Sequence, residues 1–217
     1  MNNRTYTIAH LPENVGALPL MGEFFPDRIL PPWKSLREAR IDQFPWKRDY
    51  APECAGRVGW NQHGLHVLLY GNEPVIRCAE TQIGGDVYLD SCLEFFVAPD
   101  ANRMLYVNCE SNPLAIMHIG IGSDRHNRFV YAYIPDGFHP THSAHRGAWW
   151  AVSYTIPADF IQKHFDVVLK AGMRMRGNFY STGDQARNRH NGMFQPYDLQ
   201  APDYHRPDLF ADFFLEA

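Results

Sequence analysis

Apolar and polar side chains alternate most clearly in residues 89–112, LDSCLEFFVAPDANRMLYVNCESN. Successive side chains of a β-strand point to opposite faces, so Leu93 and Phe95 are expected to face a core while Glu94 faces the other way. The proline, aspartate and asparagine of residues 99–102 are typical of a turn. We therefore predict a β-hairpin over this segment.

The second strand of the hairpin repeats the alternation and places Asn108 and Glu110 on the same face as Glu94. A similar pattern returns in residues 173–182, where an apolar set alternates with a polar one. The side chains predicted on that later polar face include Arg176, Asn178 and Tyr180. The sequence thus predicts two polar sheet faces, each backed by a core-facing side.

Short apolar stretches separated by turn residues follow one another from residue 55 onwards, which is typical of a sandwich or barrel. The other strands predicted there span residues 57–60, 65–70, 75–79, 115–121, 129–134, 150–156 and 210–215. One short helix is expected at residues 157–164, because proline is tolerated in a first helical turn. These elements predict an all-β fold: a β-sandwich of mostly antiparallel strands, jelly-roll or immunoglobulin-like, with long loops and one or two short helices.

The proline-rich residues 1–50 are expected to form an irregular lead-in packed on this sandwich, within a single domain spanning residues 1–217. The local elements expected in the lead-in are a strand at residues 6–8, a helical turn at 35–39 and a strand at 41–44.

Composition narrows the choice of function. The chain of 217 residues is 45% hydrophobic, enough for one substantial core. Its net charge of -4 argues against a nucleic-acid partner, and no stretch approaches the ~20 apolar residues of a membrane span. The N-terminal residues MNNRTYTIAHLPEN do not resemble a signal peptide, so a cytoplasmic location is expected unless a leader has been removed. The four cysteines show no CxxC spacing and are expected to be free thiols.

The two polar faces carry carboxylate, amide and guanidinium groups, which suit sugar hydroxyls because each hydroxyl both donates and accepts hydrogen bonds. A solvated sheet face with a structural Arg–Glu pair explains the same pattern, and the pattern alone does not decide between them. Aromatic rings in or beside the predicted loops could stack on a sugar ring. These are Tyr88, Trp149, Phe194 and Tyr204, the last of which is followed by His205 and Arg206.

The sequence signals for a metal site or for catalysis are weaker than those for sugar binding. His139, His142 and His145 are three residues apart, but zinc sites show better defined ligand spacing. A structural calcium ion held by loop carboxylates such as Asp86, Asp90 or Asp184 stays open, and no other cofactor is expected. Glu94 and Glu110 could form a glycosidase-type acid/base pair, although no catalytic motif accompanies them.

Five segments, in this order and spacing, resemble the family 9 carbohydrate-binding modules over residues 55–216. The segments are LDSCLEFF, YVNCESNP, the W-x-V-x-Y-x-I-P run at 150–157, RGNFYSTGDQ and DYHRPDLF. The resemblance implies a β-sandwich that binds the end of a glycan, with the sugar ring clamped between aromatics and hydrogen-bonded by a carboxylate, an amide and an arginine.

Carried over by position, the resemblance implies that Glu94 is the sugar-binding glutamate. It places Tyr204 and Tyr88 at or beside the two clamp positions, and Asn178 and Tyr180 on the polar strand near the site. The family uses tryptophan at the clamp positions, and often at the position of Phe194, so this chain departs from the pattern there. Such modules usually accompany a glycosidase domain, which this chain lacks, so the implied partner is a separate glycosidase.

The sequence therefore predicts non-catalytic binding of a mono- or oligosaccharide, at a glycan end, in polysaccharide breakdown or sugar recognition. The residues expected to contact the ligand are Tyr88, Glu94, Asn108, Glu110, Arg176, Asn178, Tyr180, Phe194, Tyr204, His205 and Arg206, with no catalytic residue and no metal ligand assigned. One alternative is a glycoside hydrolase or related enzyme that uses Glu94 and Glu110. Another is a structural or interaction module without a ligand.

Overall fold

The computed structural model describes residues 3–46, 49–144 and 148–217, and most of its regular structure is β-strand. The strands are β1 (Thr5–His10), β2 (Ala39–Ile41), β3 (Glu53–Asn61), β4 (Gly64–Asn72), β5 (Cys92–Ala98), β6 (Tyr106–Ser111), β7 (Met117–Gly122), β8 (Arg128–Val130), β9 (Thr141–His142), β10 (Trp149–Pro157), β11 (Arg174–Thr182), β12 (Asn191–Met193) and β13 (Ala211–Leu215). The helix α1 spans Ala158–Phe165, and single 3-10 turns lie at Pro26–Arg28, Trp33–Ser35, Val87–Leu89 and Pro207–Leu209. The prediction of a mostly β fold is confirmed.

The strands form one hydrogen-bonded path in the order β8-β7-β6-β5-β11-β13-β1-β3-β4-β10-β9, with β12 beside β11 and β2 beside β3. Strand β1 runs parallel to both of its neighbours, β13 and β3. The remaining ladders are antiparallel, and those of β3 with β4, β5 with β6 and β6 with β7 join strands that follow one another in the chain. The sheet is therefore mixed, and the sequence pattern did not predict the parallel pairings of β1.

The sheet curls so that its two halves, on either side of β1, face each other across one apolar core. A Cβ placed on Gly56 of β3 would lie 2.5 Å from the ring of Phe179 on β11. Likewise, a Cβ on Gly71 of β4 would lie 3.7 Å from Leu93 on β5. Leu93, Phe95 and the other inward side chains of the 89–112 hairpin lie in this core, as the alternation predicts.

The outward faces of the sheet are covered as well. Leu11, Phe24 and Trp33 of the lead-in form a second apolar cluster with Leu68 and Tyr70 of β4. On the other half, the segment 194–210 folds over β5, β6 and β11. Its Tyr197, Tyr204 and Phe210 form a third cluster with Phe96, Tyr106 and Tyr180. Much of the predicted polar face is thus a buried layer instead of a solvated surface.

Local geometry explains the β3–β4 hairpin and the helix. Gly64, which closes the hairpin, has φ +141, and a Cβ there would lie 2.2 Å from the carbonyl oxygen of Ile156, so only glycine fits. Helix α1 follows Pro157 and buries Phe160, Ile161 and Phe165. It ends at Asp166 in the left-handed conformation. The predicted helix is confirmed to within one residue at each end.

Some predicted elements are wrong. Residues 75–79 form no strand, because their backbone N–H groups are bonded to side chains instead, Arg77 to Ser91 and Ala79 to Asp90. The strand predicted at 129–134 ends at Val130. In the lead-in, the helical turn lies at Trp33–Ser35 rather than at 35–39, and β2 ends at Ile41 instead of starting there. The short strands β9 and β12 were not predicted.

The four cysteines carry free thiols, and three of them, Cys54, Cys92 and Cys109, are buried. No helix among the described residues has both the length and the apolar character needed to cross a bilayer.

Candidate functional site

Strands β5 and β6 bring two glutamates together. Glu94 and Glu110 are directly opposite each other in the antiparallel ladder, on the face turned away from the main core. Both side chains are almost completely buried, with exposures of 2% and 3%. On the other side of β5, Glu94 is paired with Tyr180 of β11. The predicted placement of both glutamates on one face is therefore observed.

A pocket of about 210 Å³ opens above the two glutamates. Its floor comes from β5, β6, β8 and β11, and its walls come from the loops around residues 86–88, 125, 184–191 and 202–205. The residues that line it are Asp86, Tyr88, Glu94, Glu110, Arg125, Arg128, Thr182, Asp184, Asn191, Pro202, Tyr204 and His205. The volume lies below the ~300–1,000 Å³ of sites for drug-sized ligands, which suits a small polar ligand.

Glu94 is the most perturbed acid of the pocket. One oxygen, Oε1, accepts a hydrogen bond from the hydroxyl of Thr182. Burial, and secondly the neighbouring charge of Glu110, raise the pKa of Glu94 well above its usual value. A carboxyl group in such a place is protonated more readily than in water and can either donate or accept a hydrogen bond.

Glu110 is held by polar partners. Its Oε1 accepts a hydrogen bond of 3.0 Å from Nδ2 of Asn108, and Nη1 of Arg128 lies 3.7 Å away. The same Arg128 nitrogen donates to Oδ1 of Asn108 at 3.3 Å. Gly120 on β7 leaves space for this amide, since a Cβ there would lie 2.5 Å from Oδ1 of Asn108. Asn108 thus supports the pocket floor from below without lining the pocket.

The walls combine one exposed aromatic ring with an ion pair between loops. Tyr88 is 37% exposed, and its carbonyl accepts a hydrogen bond from the N–H of Asp184, so the two walls are tied together. On the opposite side, Nε and Nη2 of Arg125 lie 3.2 and 3.1 Å from Oδ1 of Asp203. The Arg125 side chain spans the space between the loop 123–127 and the segment that carries Pro202 and Tyr204.

Tyr204 is part of the wall but is mostly buried. Its ring stacks on that of Tyr180 with a centroid separation of 4.0 Å and an interplanar angle of 10°. Its hydroxyl donates to the carbonyl of Ser181 at 3.4 Å. With one face against Tyr180 and an exposure of 6%, Tyr204 cannot offer the open ring that Tyr88 offers.

His205 adds a neutral polar group. Its Nδ1 lies 2.7 Å from the hydroxyl of Tyr106, and its ring packs against Phe96 at 5.1 Å between centroids. Burial, with smaller contributions from Arg128 and Arg125, lowers the pKa of His205 to about 2. The imidazole is therefore uncharged at neutral pH.

Five of the residues predicted from the sequence line the pocket, namely Tyr88, Glu94, Glu110, Tyr204 and His205. The remaining six, the supporting Asn108 among them, do not. Asn178 is bonded to the backbone of Gln195, and Tyr180 lies beneath Tyr204. Arg176 donates to the carbonyls of Asp208 and Phe210 on the outer surface.

The other two are further away. Phe194 belongs to the main core, where its ring lies 6.1 Å from that of Tyr6. Arg206 forms an exposed ion pair with Asp208. Trp149, also considered a stacking residue, lines a separate groove of about 840 Å³ on the other half of the sheet, together with Tyr70.

Sequence reasoning missed seven residues of the pocket lining. They are Asp86, Arg125, Arg128, Thr182, Asp184, Asn191 and Pro202. Thr182 follows Tyr180 by two positions, so extension of the same alternation would have found it. Arg125 comes from the loop after β7 and Arg128 is the first residue of the short strand β8, and no local pattern marks either side chain as facing a site.

The predicted calcium carboxylates do not act together. Asp90 is buried and accepts hydrogen bonds from the N–H groups of Ala79 and Glu80 and from Nδ2 of Asn112. Asp86 and Asp184 line the pocket instead. Within the described ranges, no three His, Cys, Asp or Glu side chains are grouped so as to hold a metal ion.

The metal site considered for His139, His142 and His145 was based on their spacing in the sequence alone. His139 lines a separate cavity with His63 and His66, and His142 is exposed in β9. His145 lies outside the described residues.

Comparisons with known proteins agree on one family. A family model described as Carbohydrate-binding family 9 matches residues 29–215. A search of the curated proteins finds no match.

Solved structures resemble the whole chain. A protein of Bacteroides uniformis ATCC 8492, provisionally described as carbohydrate-binding, is 22% identical, with a TM-score of 0.79 over 99% of this chain and 100% of its own. A family 9 carbohydrate-binding module of Caldicellulosiruptor kristjanssonii in complex with glucose is 12% identical, with a TM-score of 0.67 over 99% of this chain and 96% of its own. The corresponding complex with cellotriose is 11% identical, with a TM-score of 0.66 and coverages of 99% and 94%. At these identities, the structural likeness establishes a shared fold.

Proposed function

The chain belongs to carbohydrate-binding family 9, and we propose that it binds the terminal ring of a mono- or oligosaccharide in the pocket above Glu94 and Glu110, without catalysis. The observation that carries this proposal is the pair of buried carboxyl groups facing a small pocket. Burial of two carboxyl groups is costly unless polar partners are supplied. The hydroxyl groups of a sugar can supply them.

The pocket residues provide three kinds of contact for a sugar: hydrogen-bond acceptors, hydrogen-bond donors and an aromatic ring. Glu94 and Glu110 accept hydrogen bonds from sugar hydroxyls, and Arg128 and Arg125 donate to sugar oxygens. Tyr88 is the exposed ring available for stacking on the C–H face of the sugar. Tyr204, already stacked on Tyr180, contributes its ring edge and fixes the shape of the wall.

The size of the pocket favours one ring rather than a chain. A volume of about 210 Å³ leaves little room for a second ring inside the pocket. Modules of the same fold form complexes with glucose and cellotriose. We infer that further rings of an oligosaccharide lie outside the pocket, so that a glycan end is bound. In this proposal, the protein recognises sugar beside a separate glycosidase that breaks down polysaccharide.

Glycoside hydrolysis by Glu94 and Glu110 is the second candidate, because an acid of raised pKa beside a second carboxylate is a glycosidase arrangement. Its geometry fits less well. The two glutamates are neighbours on adjacent strands of one floor, so both lie on the same side of a bound ring. In glycosidases the carboxyl groups flank the scissile bond.

Calorimetric titration with neutral monosaccharides and short oligosaccharides tests the proposal. We expect saturable 1:1 binding by the intact protein and its loss in Glu94→Ala, with the thermal transition of the variant still cooperative. The control is Asp136→Asn, because Asp136 is exposed and its side chain has no hydrogen bond with the described residues; this variant should bind sugar as the unmodified protein does. Failure of every sugar to bind would overturn the proposal, and turnover of chromogenic glycosides that is lost in Glu94→Gln would favour the enzyme.

A further inference from the structure

The pocket carries an excess of negative charge. Its lining includes the carboxyl groups of Asp86, Glu94, Glu110 and Asp184 but only the guanidinium groups of Arg125 and Arg128. Charged groups confined in a small concave site affect one another more strongly than they would in water. The character of the ligand therefore depends on which of these charges are already paired.

Both arginines already have carboxylate partners. Arg125 is bonded to Asp203, and Arg128 lies 3.7 Å from Glu110. Asp184 is likewise occupied, since its Oδ1 accepts a hydrogen bond of 3.1 Å from Asn191 and lies 3.5 Å from Nε of Arg189. Each guanidinium is therefore already charge-compensated by a protein carboxylate, which weakens its attraction for an anionic ligand.

Two carboxyl groups remain without a cationic partner. The side chain of Asp86 has no hydrogen bond or ion pair with the described residues, and it lies at the exposed rim. Glu94 is 2% exposed, and its hydrogen bond from Thr182 occupies only Oε1, so no described group bonds its other oxygen. The pocket thus contains a buried acceptor and a negative rim group, both available to a ligand.

We propose that the pocket selects sugar rings that carry an ammonium group, so that the preferred ligands are free amino sugars, and that it rejects uronic acids. This inference rests on the proposed function. An ammonium group offers three donors and a positive charge to Glu94 and Asp86, whereas the hydroxyl of a neutral sugar offers one donor and no charge. A uronate would place another carboxylate among groups that are already negative.

Binding of an ammonium group should also change the protonation of Glu94, which can be measured separately from affinity. Because burial raises the pKa of Glu94, a cation bound beside it favours the charged form and displaces a proton. The other charged groups facing Glu94 are Glu110, Arg128 and Asp184, and each is held by a protein partner. A neutral sugar should displace less of a proton than an ammonium sugar.

The test is calorimetric titration near pH 6 with matched sugars, in the presence of a metal chelator so that no divalent cation bridges ligand and protein. The probes are glucosamine, glucose and glucuronate, then galactosamine, galactose and galacturonate. We expect each amino sugar to bind roughly fivefold or more tightly than its neutral counterpart, and each uronate to bind more weakly. Repetition in buffers of different ionisation enthalpy should reveal proton release with the amino sugars.

Two variants test which residues cause the preference for amino sugars over neutral sugars. Asp86→Asn should reduce the ratio of amino-sugar to neutral-sugar affinity by roughly two- to fivefold, while Asp136→Asn, an equivalent charge removal outside the pocket, should leave the ratio unchanged. Glu94→Gln should remove most of the ratio and the proton release.

The outcomes separate the two proposals. If neutral sugars bind as tightly as amino sugars, the charge inference is wrong while the proposed function stands. If amino sugars are preferred but the ratio survives in Glu94→Gln and Asp86→Asn, the assigned residues are wrong. If no sugar binds, the proposed function is itself overturned.

Discussion

Glu94 and Glu110 face each other across the β5–β6 ladder, both buried and both lining the same pocket. Burial, and secondly the repulsion between two carboxylates so placed, raise the pKa of Glu94 well above its usual value. Thr182 binds Glu94, while Asn108 and Arg128 approach Glu110. Burial and the neighbouring Glu110 therefore favour a proton on Glu94, against the opposing effect of the hydrogen bond from Thr182.

The first prediction concerns the stability of Glu94→Gln. A carboxyl group whose pKa is raised in the folded state contributes stability at pH values below its unfolded pKa of about 4.5, and this is lost as the pH rises through the folded pKa. Glutamine keeps an acceptor for Thr182 and has no charge to lose. We expect the variant to gain stability relative to the unmodified protein between pH 5 and pH 8, measured by urea denaturation. A difference independent of pH would contradict this.

Glu73 offers the same test away from the pocket. Its carboxyl group accepts hydrogen bonds from Ser91 and from the indole of Trp150, and burial raises its pKa to about 7. Stability is lost as the pH rises from about 4.5 to 7, by up to about 3 kcal/mol at roughly 1.4 kcal/mol per pH unit. Glu73→Gln should therefore be the more stable protein at pH 8 and lose that advantage near pH 4.5. Denaturation curves at both pH values, together with sugar titration, should show a changed stability with an unchanged affinity.

Tyr88 is expected to contribute stacking. Tyr88→Ala should weaken sugar binding by roughly three- to tenfold, because the exposed ring is lost without disturbing the core. Tyr133→Ala is the matched control, since Tyr133 is also an exposed tyrosine, at 62%, but lies outside the pocket. Equal affinities of the two variants in calorimetry would exclude Tyr88 as a ligand contact.

Arg125 links the loop 123–127 to the segment that carries Pro202 and Tyr204, through an ion pair with Asp203 whose side chains are 48% and 35% exposed. Such a pair is worth less than about 1 kcal/mol, so Arg125→Ala should unfold at nearly the same urea concentration as the unmodified protein. Its affinity for sugar should nevertheless fall, because a pocket donor is removed and Pro202 loses its partner. Arg206→Ala, which breaks the exposed pair with Asp208 outside the pocket, should leave both quantities unchanged.

Substitution of Gly64 tests whether the turn between β3 and β4 requires glycine. Gly64→Ala places a Cβ about 2.2 Å from the carbonyl oxygen of Ile156 at a positive φ, and should cost about 2 kcal/mol or more. Gly16→Ala meets no atom within 4 Å and should change the free energy of unfolding by less than about 0.5 kcal/mol. Urea denaturation of the two variants compares them directly, and equal stabilities would contradict the role given to Gly64.

Periodicity predicted the floor of the pocket more successfully than its walls. The alternation of residues 89–112 placed Leu93 and Phe95 in the core and Glu94 with Glu110 on the opposite face, as observed. It also placed Asn178 and Tyr180 on the polar side of β11, where both are buried. Strand alternation is a property of the local backbone, so it can be recognised from the sequence alone.

The sequence by itself therefore determined the mostly β character of the protein, the inward and outward side chains of the 89–112 hairpin and the shared face of its two glutamates. Only the tertiary structure decided which polar side chains line the pocket. The segment 194–210 covers Asn178 and Tyr180 but leaves Glu94 open to the pocket, and loops distant in sequence bring in Arg125, Asp86 and Asp184. Which side chains are covered and which line the pocket depends on long-range packing of irregular segments, and such packing produces no repeating pattern in the sequence.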